Sequence, residues 1–410
     1  MYYTPYLPHA TMEPPAALAS VHGERCEVWA CTQDPQTARS ELAKALGFDE
    51  ANVVVHVTLL GGGFGRKSKP DFIVEAALVA KEAGVPVRVQ WTREDDLRHD
   101  FYHSVSAQRL EAGLDAGGKL IAWHHRTAFP PIASTLKGTA SPDAGSLGLG
   151  FLDVPIDVPN LRGEACDAKA FTRIGWLRSV ANIYHAFAVQ SFIDELAALR
   201  AQDPLVHQLE LLGPARLWSL ADLGVSEYRN YGQPLAEHPI DTARHRHVLE
   251  RATTLARWSD RAREGRSLGL AVHRSFLTCV AVVISVVKTS SARIAVDEAW
   301  IVADAGTIVN AERVHSQLEG AVLFGLSQAL YGEITMEGGI AQQSNLRSHR
   351  LLRLPEAPRA IHVEVIQSDA PPAGVGEPGV PPVAPALANA IFALTGTRIR
   401  ELPIARTMRV

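Results

Sequence analysis

Cysteine is scarce: four residues (Cys26, Cys31, Cys166, Cys279) in 410, with no CxxC pair and no metal-ligand spacing. An iron–sulfur cluster housed in this chain is therefore not expected, and the four thiols read as scattered structural residues. Long apolar runs are lacking too. The longest uncharged one, FLTCVAVVISVV at 276–287, is too short to span a bilayer; rich in β-branched residues, it reads as a buried strand. Positive charge is not in excess. The net charge of −4 removes the usual basis for binding nucleic acid or an anionic membrane. The first residues, MYYTPYLPHATMEPPAALASV, have no basic segment followed by an apolar run, so no signal peptide is expected there. Strand-like, Pro-rich material starts at once, as if the chain began inside a fold, and localisation stays open. Internal repeats and low-complexity segments are also absent.

What is present is ordinary for a globular chain: 47% apolar and 20% charged residues, at a length that suggests two or three domains. CEVWACT (26–32) alternates as a strand, TQDPQTARSELAKALGF as a turn and helix, and ANVVVHVTLL as a strand broken by GGGFGRKSKPD. PDFIVEAALVAKEAG reads as a helix with Pro70 and Asp71 at its start and Gly84 at its end, and VPVRVQW returns as a strand. A hairpin spans about 104–128 around LDAGGKL. Helices follow through 178–213, then a charged helical stretch (HPIDTARHRHVLERATTLARWSDRAREG) that reads as a connector. Strands, a helix over NAERVHSQLEGAVLFGLSQALYG and a last helix after Pro382 complete the chain. The expected architecture is α+β with mixed sheets and packed helices in two lobes, 1–235 and 266–410, joined by a connector at 236–265.

Four segments hold candidate chemistry. In LLGGGFGRK (59–67), glycines after a strand permit close backbone approach and can leave N–H groups unpaired. The spacing is too compressed for a dinucleotide fingerprint, and a tight structural turn fits the residues about as well as a ligand loop. In DAGTIVNAERVHSQLEGA (304–321), a strand ends at Asp304 and Asn310 stands where a helix N-cap belongs. In GWLRSVANIYHAFAVQSFIDELA (175–197), Arg178 precedes an apolar helix; once buried it must find a partner, in a structural ion pair or in an oxyanion or cofactor contact. In GVGEPGVPPVAPALANAIFALTG (374–396), Glu377 sits between Gly376 and Pro378 on a stiff loop, with no basic residue close by in sequence. A cap-like carboxylate at a helix N-terminus and a general base both fit that shape. His245 and His247 fall on different faces of a helix and read as solvated, while His124 and His125 alternate across a strand, a poor arrangement for a metal.

Taken in order, the segments HATMEPPAA (9–17), CEVWACTQDPQ (26–36), GGGFGRK (61–67), LRSV with SFIDELA (177–197), DAGTIVN with QLEGA (304–321), GLSQALYGEIT (325–335), GVGEPGVPPVAPALANAIFALTG and the final LPI resemble a known set. It is that of the molybdenum-binding subunit of the xanthine dehydrogenase and aldehyde oxidase family, most similar to the branch typified by isoquinoline 1-oxidoreductase, large (beta) subunit. The resemblance covers nearly the whole chain and lies in its ordered set, since each segment alone is weak.

The resemblance implies a mononuclear molybdenum carried by a pterin, usually the cytosine dinucleotide in bacteria, with no protein ligand to the metal. It implies that Glu377 is the general base for transfer of water-derived oxygen to an electron-poor carbon of an aldehyde or aza-aromatic substrate. Gly62, Gly63, Phe64 and Gly65 would present backbone N–H groups to the cofactor, Arg178 would stand near the metal, and Gln317 and Gly376 would belong to the cofactor-binding region. Iron–sulfur centres would reside on a separate small subunit. Family members are longer, with a preceding half bearing a GQG-type segment; its absence from these 410 residues implies either that a second chain supplies it or that the chain is a truncated or degenerate relative. The family's GPWR is GWLR here, and its VESF is VQSF with Gln190. A non-catalytic structural or assembly subunit is the alternative, and a nucleotide-binding dehydrogenase using GGGFG a weaker one.

Overall fold

The computed structural model describes residues 1–263 and 265–410. The first part runs β1 (Tyr2–Thr4), β2 (Ala16–His22), β3 (Arg25–Ala30), α1 (Pro35–Leu46), β4 (Val53–Val57), α2 (Asp71–Ala83), β5 (Val87–Gln90), α3 (Arg93–Arg98), β6 (Ser106–Leu114) and β7 (Leu120–Ala128). It continues through α4 (Ala133–Lys137), α5 (Ala144–Leu147), β8 (Asn160–Cys166), α6 (Asn182–Leu199), α7 (Pro204–Leu212) and α8 (Thr242–Leu255). Then come β9 (Ala262–Arg263), β10 (Arg266–Ser275), β11 (Thr278–Lys288), β12 (Ile294–Asp304), α9 (Ala311–Tyr331), β13 (Met336–Glu337), β14 (Ile340–Ala341), β15 (Ala360–Ile366) and α10 (Val383–Thr395).

Local sequence accounts for the clearest boundaries. The Asp34 side chain accepts from the N–H of Thr37 to open α1, Pro35 fills the first turn, and Gly47 at φ 74° closes it. Leu42 and Leu46 of α1, with Phe72 and Ile73 of α2, pack onto Val28 and the other inward residues of the sheet β4-β3-β2-β5. A second sheet, β1-β6-β7-β8, holds the expected hairpin, with Leu110 of β6 set opposite His125 of β7.

The third sheet, β15-β12-β11-β10-β9, forms the centre of the molecule. Along β11, Val280, Val282 and Ile284 face α9 and α10 while Cys279, Ala281 and Val283 face α8. Burial on both faces explains why this strand reads as an unbroken apolar run rather than an alternating one. Helix α10 crosses β10 so closely at Gly269 that a Cβ there would lie 2.1 Å from the backbone nitrogen of Ala390. The same apolar core takes in Phe187 of α6 and Leu110 of β6, so the second and third sheets share one interior.

Three expectations need revision. The run beginning at Phe276 is not strand throughout: Phe276 and Leu277, at φ 49° and 70°, form the two-residue turn between β10 and β11. The 236–265 stretch does more than connect, because Val248, Leu249 and Ala252 of α8 are fully buried against the third sheet. His245, read as solvated, is 3% exposed and lies 3.7 Å from Cys279 Sγ, on the inward side of that helix; His247 is exposed.

Candidate active site

Four loops converge at one end of the third sheet. They are the Gly-rich segment after β4, the turn before α6, the β10–β11 turn and the segment before α10; α9 closes the group. Between them lies a pocket of about 470 Å³ lined by Phe64, Gly65, Arg178, Gln317, Gly376 and Glu377, and also by Gln33, Trp176 and Phe276. Six of the eight residues singled out from the sequence thus share one wall. Gly62 and Gly63 belong to the same loop but not to the lining.

The stiffness of the Glu377 loop has a structural source. Ala373 N–H donates to the Ala305 carbonyl at 2.9 Å and Gly374 N–H to the Phe276 carbonyl at 3.0 Å, while Thr278 Oγ1 donates to the Gly374 carbonyl at 2.6 Å. Ser179 grips Glu377 twice: its N–H donates to Oε2 at 2.7 Å and its Oγ to the Glu377 carbonyl oxygen at 2.7 Å, an oxygen that also accepts from Val380 N–H at 3.1 Å. Oε1 has no partner among the described residues. Burial raises the carboxyl pKa above its ordinary value, opposed by the Ser179 N–H and by the nearby Arg178 charge. The carboxylate that looked solitary in the sequence therefore has a cation beside it, contributed by a residue 198 positions away from Gly376.

Arg178 makes no salt bridge among the described residues. Its Nε donates to the Gly376 carbonyl at 2.7 Å, and one terminal nitrogen donates to Gln317, to the carbonyl at 3.2 Å and to Oε1 at 3.1 Å. Burial pushes the guanidinium down to about 10, with Glu377 opposing the shift. A cation in a pocket with only neutral acceptors on its nitrogens attracts an anionic or electron-rich guest. Of the two partners left open by the sequence, a structural ion pair is not found among the described residues.

In the Gly-rich loop, Gly62, Phe64 and Gly65 have φ of 97°, 53° and 108°. Gly65 N–H donates to Gln33 Oε1 at 3.0 Å, and Gly61 N–H donates to Glu13 Oε2 at 2.9 Å. The N–H groups of Gly62, Gly63 and Phe64 have no acceptor among the described residues, which makes a short run of donors open to a guest. Beneath the loop, Arg66 and Lys67 are fully buried, Arg66 on Asp71 and Asp100 and Lys67 on Glu13. Phe64 packs against Phe324 of α9 with ring centroids 4.9 Å apart. Asn310 caps α9 as expected, accepting from Arg313 N–H at 3.0 Å.

Sequence reasoning did not assign Ser179, Gln33 or Phe276 to the site. Ser179 stood inside the noted LRSV segment, but nothing local signals a hydrogen bond to a residue so distant in the chain. The discarded histidines stay out of the pocket, with His125 buried on Gln108 and His124 on Glu111. Among the described residues, no group of three or more His, Cys, Asp or Glu could hold a metal ion, and the four cysteines are free thiols. The pocket therefore offers hydrogen-bond donors and a cation rather than a ligand cage. That donor set fits a metal brought in on an organic carrier, which needs no protein ligand of its own.

The profile of the molybdopterin cofactor-binding domain matches residues 1–208, and a second profile of that description matches 220–358. The chain belongs to the molybdopterin cofactor-binding family. Among its relatives, the membrane-bound aldehyde dehydrogenase (pyrroloquinoline-quinone) of Gluconacetobacter polyoxogenes is 32% identical over 97% of this chain and 52% of its own length. The beta chain of isoquinoline 1-oxidoreductase from Brevundimonas diminuta is 30% identical over 96% of this chain and 48% of its own. A nicotinate dehydrogenase component from Pseudomonas putida is 30% identical over 98% of this chain and 34% of its own. The chain thus spans about half or less of these relatives. The crystal structure of quinoline 2-oxidoreductase from Pseudomonas putida 86 superposes with a TM-score of 0.78 at 14% identity, covering 99% of this chain and 76% of that one, so the two share a fold. That fold is the molybdopterin-binding domain of the xanthine oxidase type, in agreement with the sequence resemblance.

Proposed function

We propose that this chain forms part of the large subunit of a molybdenum hydroxylase and that Glu377 is its general base. The observation that carries the reading is a half-buried carboxylate fixed by Ser179, with Oε1 unpartnered among the described residues and a cation 2.7 Å from the preceding carbonyl. Burial raises its proton affinity above that of an ordinary carboxylate, the direction a general base requires. The molybdenum–pterin cofactor, taken to be the cytosine dinucleotide form, would when bound supply the electron sink for oxidation and acidify the water that provides the oxygen. Gly62, Gly63 and Phe64 would donate backbone N–H groups to that cofactor. Arg178, anchored on Gly376 and Gln317, would hold its guanidinium toward developing negative charge. Gly65 and Phe64 would shape the wall, with Phe64 set by its contact with Phe324.

The substrate class is an aldehyde or an aza-aromatic ring, the chemistries named in the relatives. A second chain would supply the other half of the site, and iron–sulfur centres on a small subunit would take the electrons away. A division into lobes 1–235 and 266–410 across 236–265 belongs to the same proposal.

The test is the metal, pterin and quinone content of the purified chain, alone and with its natural partner. Near-stoichiometric molybdenum with the partner present supports the reading. Molybdenum absent from both preparations overturns it in favour of a non-catalytic role, and pyrroloquinoline quinone in its place overturns it in favour of quinone chemistry. In the loaded enzyme, Glu377→Gln should abolish turnover and keep the metal; loss of metal would make Glu377 structural.

A further inference from the structure

Behind the pocket, a buried polar chain leads away from Glu377. The Ser179 peptide is held at both ends: its N–H is on Glu377 Oε2, and its carbonyl accepts from Asn182 twice, from the backbone N–H at 3.2 Å and from Nδ2 at 3.0 Å. Asn182 opens α6 and is 0% exposed. Its Oδ1 accepts from His273 Nε2 at 2.9 Å and from the Tyr231 hydroxyl at 3.3 Å. Tyr231 in turn packs its ring on Phe276, a residue of the pocket wall, at 4.8 Å.

The arrangement is more than a helix start needs. Ser179 and Val180 have φ of 80° and 51°, conformations that L residues with side chains adopt only when their surroundings force them. The Val180 carbonyl is held by His103 Nε2 at 2.9 Å, so both strained peptides are pinned by buried side chains. Burial pushes His273 down to about 3, so its ring is neutral and Nε2 serves as a donor without adding charge. Among the described residues, the charged group that acts on Glu377 is Arg178, on the same turn.

We infer that Asn182, backed by His273 and Tyr231, is a positioning residue that locks the strained Ser179 peptide and thereby aims the Glu377 carboxylate. The inference rests on the reading of Glu377 as the base and names the part of the molecule that keeps it in place. Removing the Asn182 amide frees the Ser179 peptide to relax toward ordinary φ, which takes its N–H off Oε2. Glu377 then loses a hydrogen bond to its charged form and binds its proton more tightly.

The experiment uses the 410-residue chain without cofactor. Carbodiimide labels protonated carboxyl groups, and mass spectrometry of the peptide containing Glu377 across a pH series gives the midpoint of its protonation. Glu377→Gln provides the blank. Asn182→Ala and His273→Leu should move the midpoint upward by about one pH unit, the size expected for one hydrogen bond to a charged group. His273→Gln, which restores a donor to Asn182 Oδ1, should return it toward the wild-type value. A purely structural role would lower the melting temperature in all three variants without ordering the midpoints this way. Folded Asn182→Ala and His273→Leu chains with an unmoved midpoint overturn the inference. If Asn182→Ala does not fold, the His273→Leu and His273→Gln pair decides, and Tyr231→Phe, which should shift the midpoint in the same direction by less, decides if that pair also fails. Turnover surviving Glu377→Gln in the assembled enzyme sinks the base reading and leaves the labelling result untouched, so the two failures are distinguishable.

Discussion

The carbonyl oxygen of Trp176 stands so close over Gly65 that a Cβ added there would lie 1.8 Å away. The same oxygen accepts from His9 Nε2 at 2.5 Å, so it has no freedom to retreat. Gly65 also has φ 108°, outside the range of residues with side chains. Gly65→Ala should therefore destabilise the chain by about 3 kcal/mol or more, combining backbone strain with displacement of a buried carbonyl. Urea unfolding followed by tryptophan fluorescence measures it, and a loss below about 1 kcal/mol would contradict the packing described.

Glu377 predicts a pH-dependent stability difference. Its pKa in the folded chain lies above the ordinary 4.5. Below that ordinary value the group is protonated whether folded or not, and contributes nothing. As the pH rises through the window between 4.5 and the folded value, the unfolded chain ionises first and gains stability relative to the fold. Glu377→Gln removes this penalty. Its melting temperature should match wild type near pH 4 and exceed it near pH 8, roughly the two sides of that window, and a gap running the other way would mean that the carboxylate is stabilised in place.

Buried neutral histidines set an acid limit. Burial holds His103 and His185 at about 4, against an ordinary value of 6.5. His185 is locked between the Leu149 carbonyl and Thr127, and His103 on the Val180 carbonyl. In the unfolded chain each takes up a proton near 6.5, and in the folded chain only near 4. Stability should fall as the pH drops across that interval, by up to about 2 kcal/mol per histidine near pH 5. Urea midpoints at about pH 7 and about pH 5 check this, and His185→Gln should flatten the difference.

Arg244 of α8 embraces Asp304 at the end of β12, with Nε on Oδ2 at 2.8 Å and a second nitrogen on Oδ1 at 3.0 Å. Asp304 is 3% exposed, and its carboxyl is held below the ordinary range by the guanidinium. Arg244→Met would leave a nearly uncompensated buried carboxylate and should destabilise the chain by about 3–5 kcal/mol. The double variant with Asp304→Asn should recover much of that loss in thermal unfolding.

What could be read before folding was governed by range along the chain. The N-cap of α9, the glycine stop of α2 and the apolar run of β11 from Thr278 onward are local, and each matched its element. The isolation of Glu377 between glycine and proline is a property of the sequence alone, since folding sets Arg178 beside it. The Phe276–Leu277 turn escaped because neither residue is glycine or asparagine, so the usual mark of positive φ is missing. His245 was misread because two residues apart on a helix says which faces differ, not which one is covered. Ser179 and Arg178 could be noticed but not assigned, since the partners that define them lie 198 residues onward. The ordered set of motifs carried the family resemblance; the individual contacts required the fold.

The β10–β11 turn ties Gly374 to the tip of a hairpin whose strands run through the middle of the central sheet. The segment bearing Glu377 is thus an anvil rather than a flap. It cannot swing open to admit a guest without unseating a hairpin whose every inward side chain is packed. Whatever occupies the pocket thus meets the carboxylate at a position fixed by the central sheet.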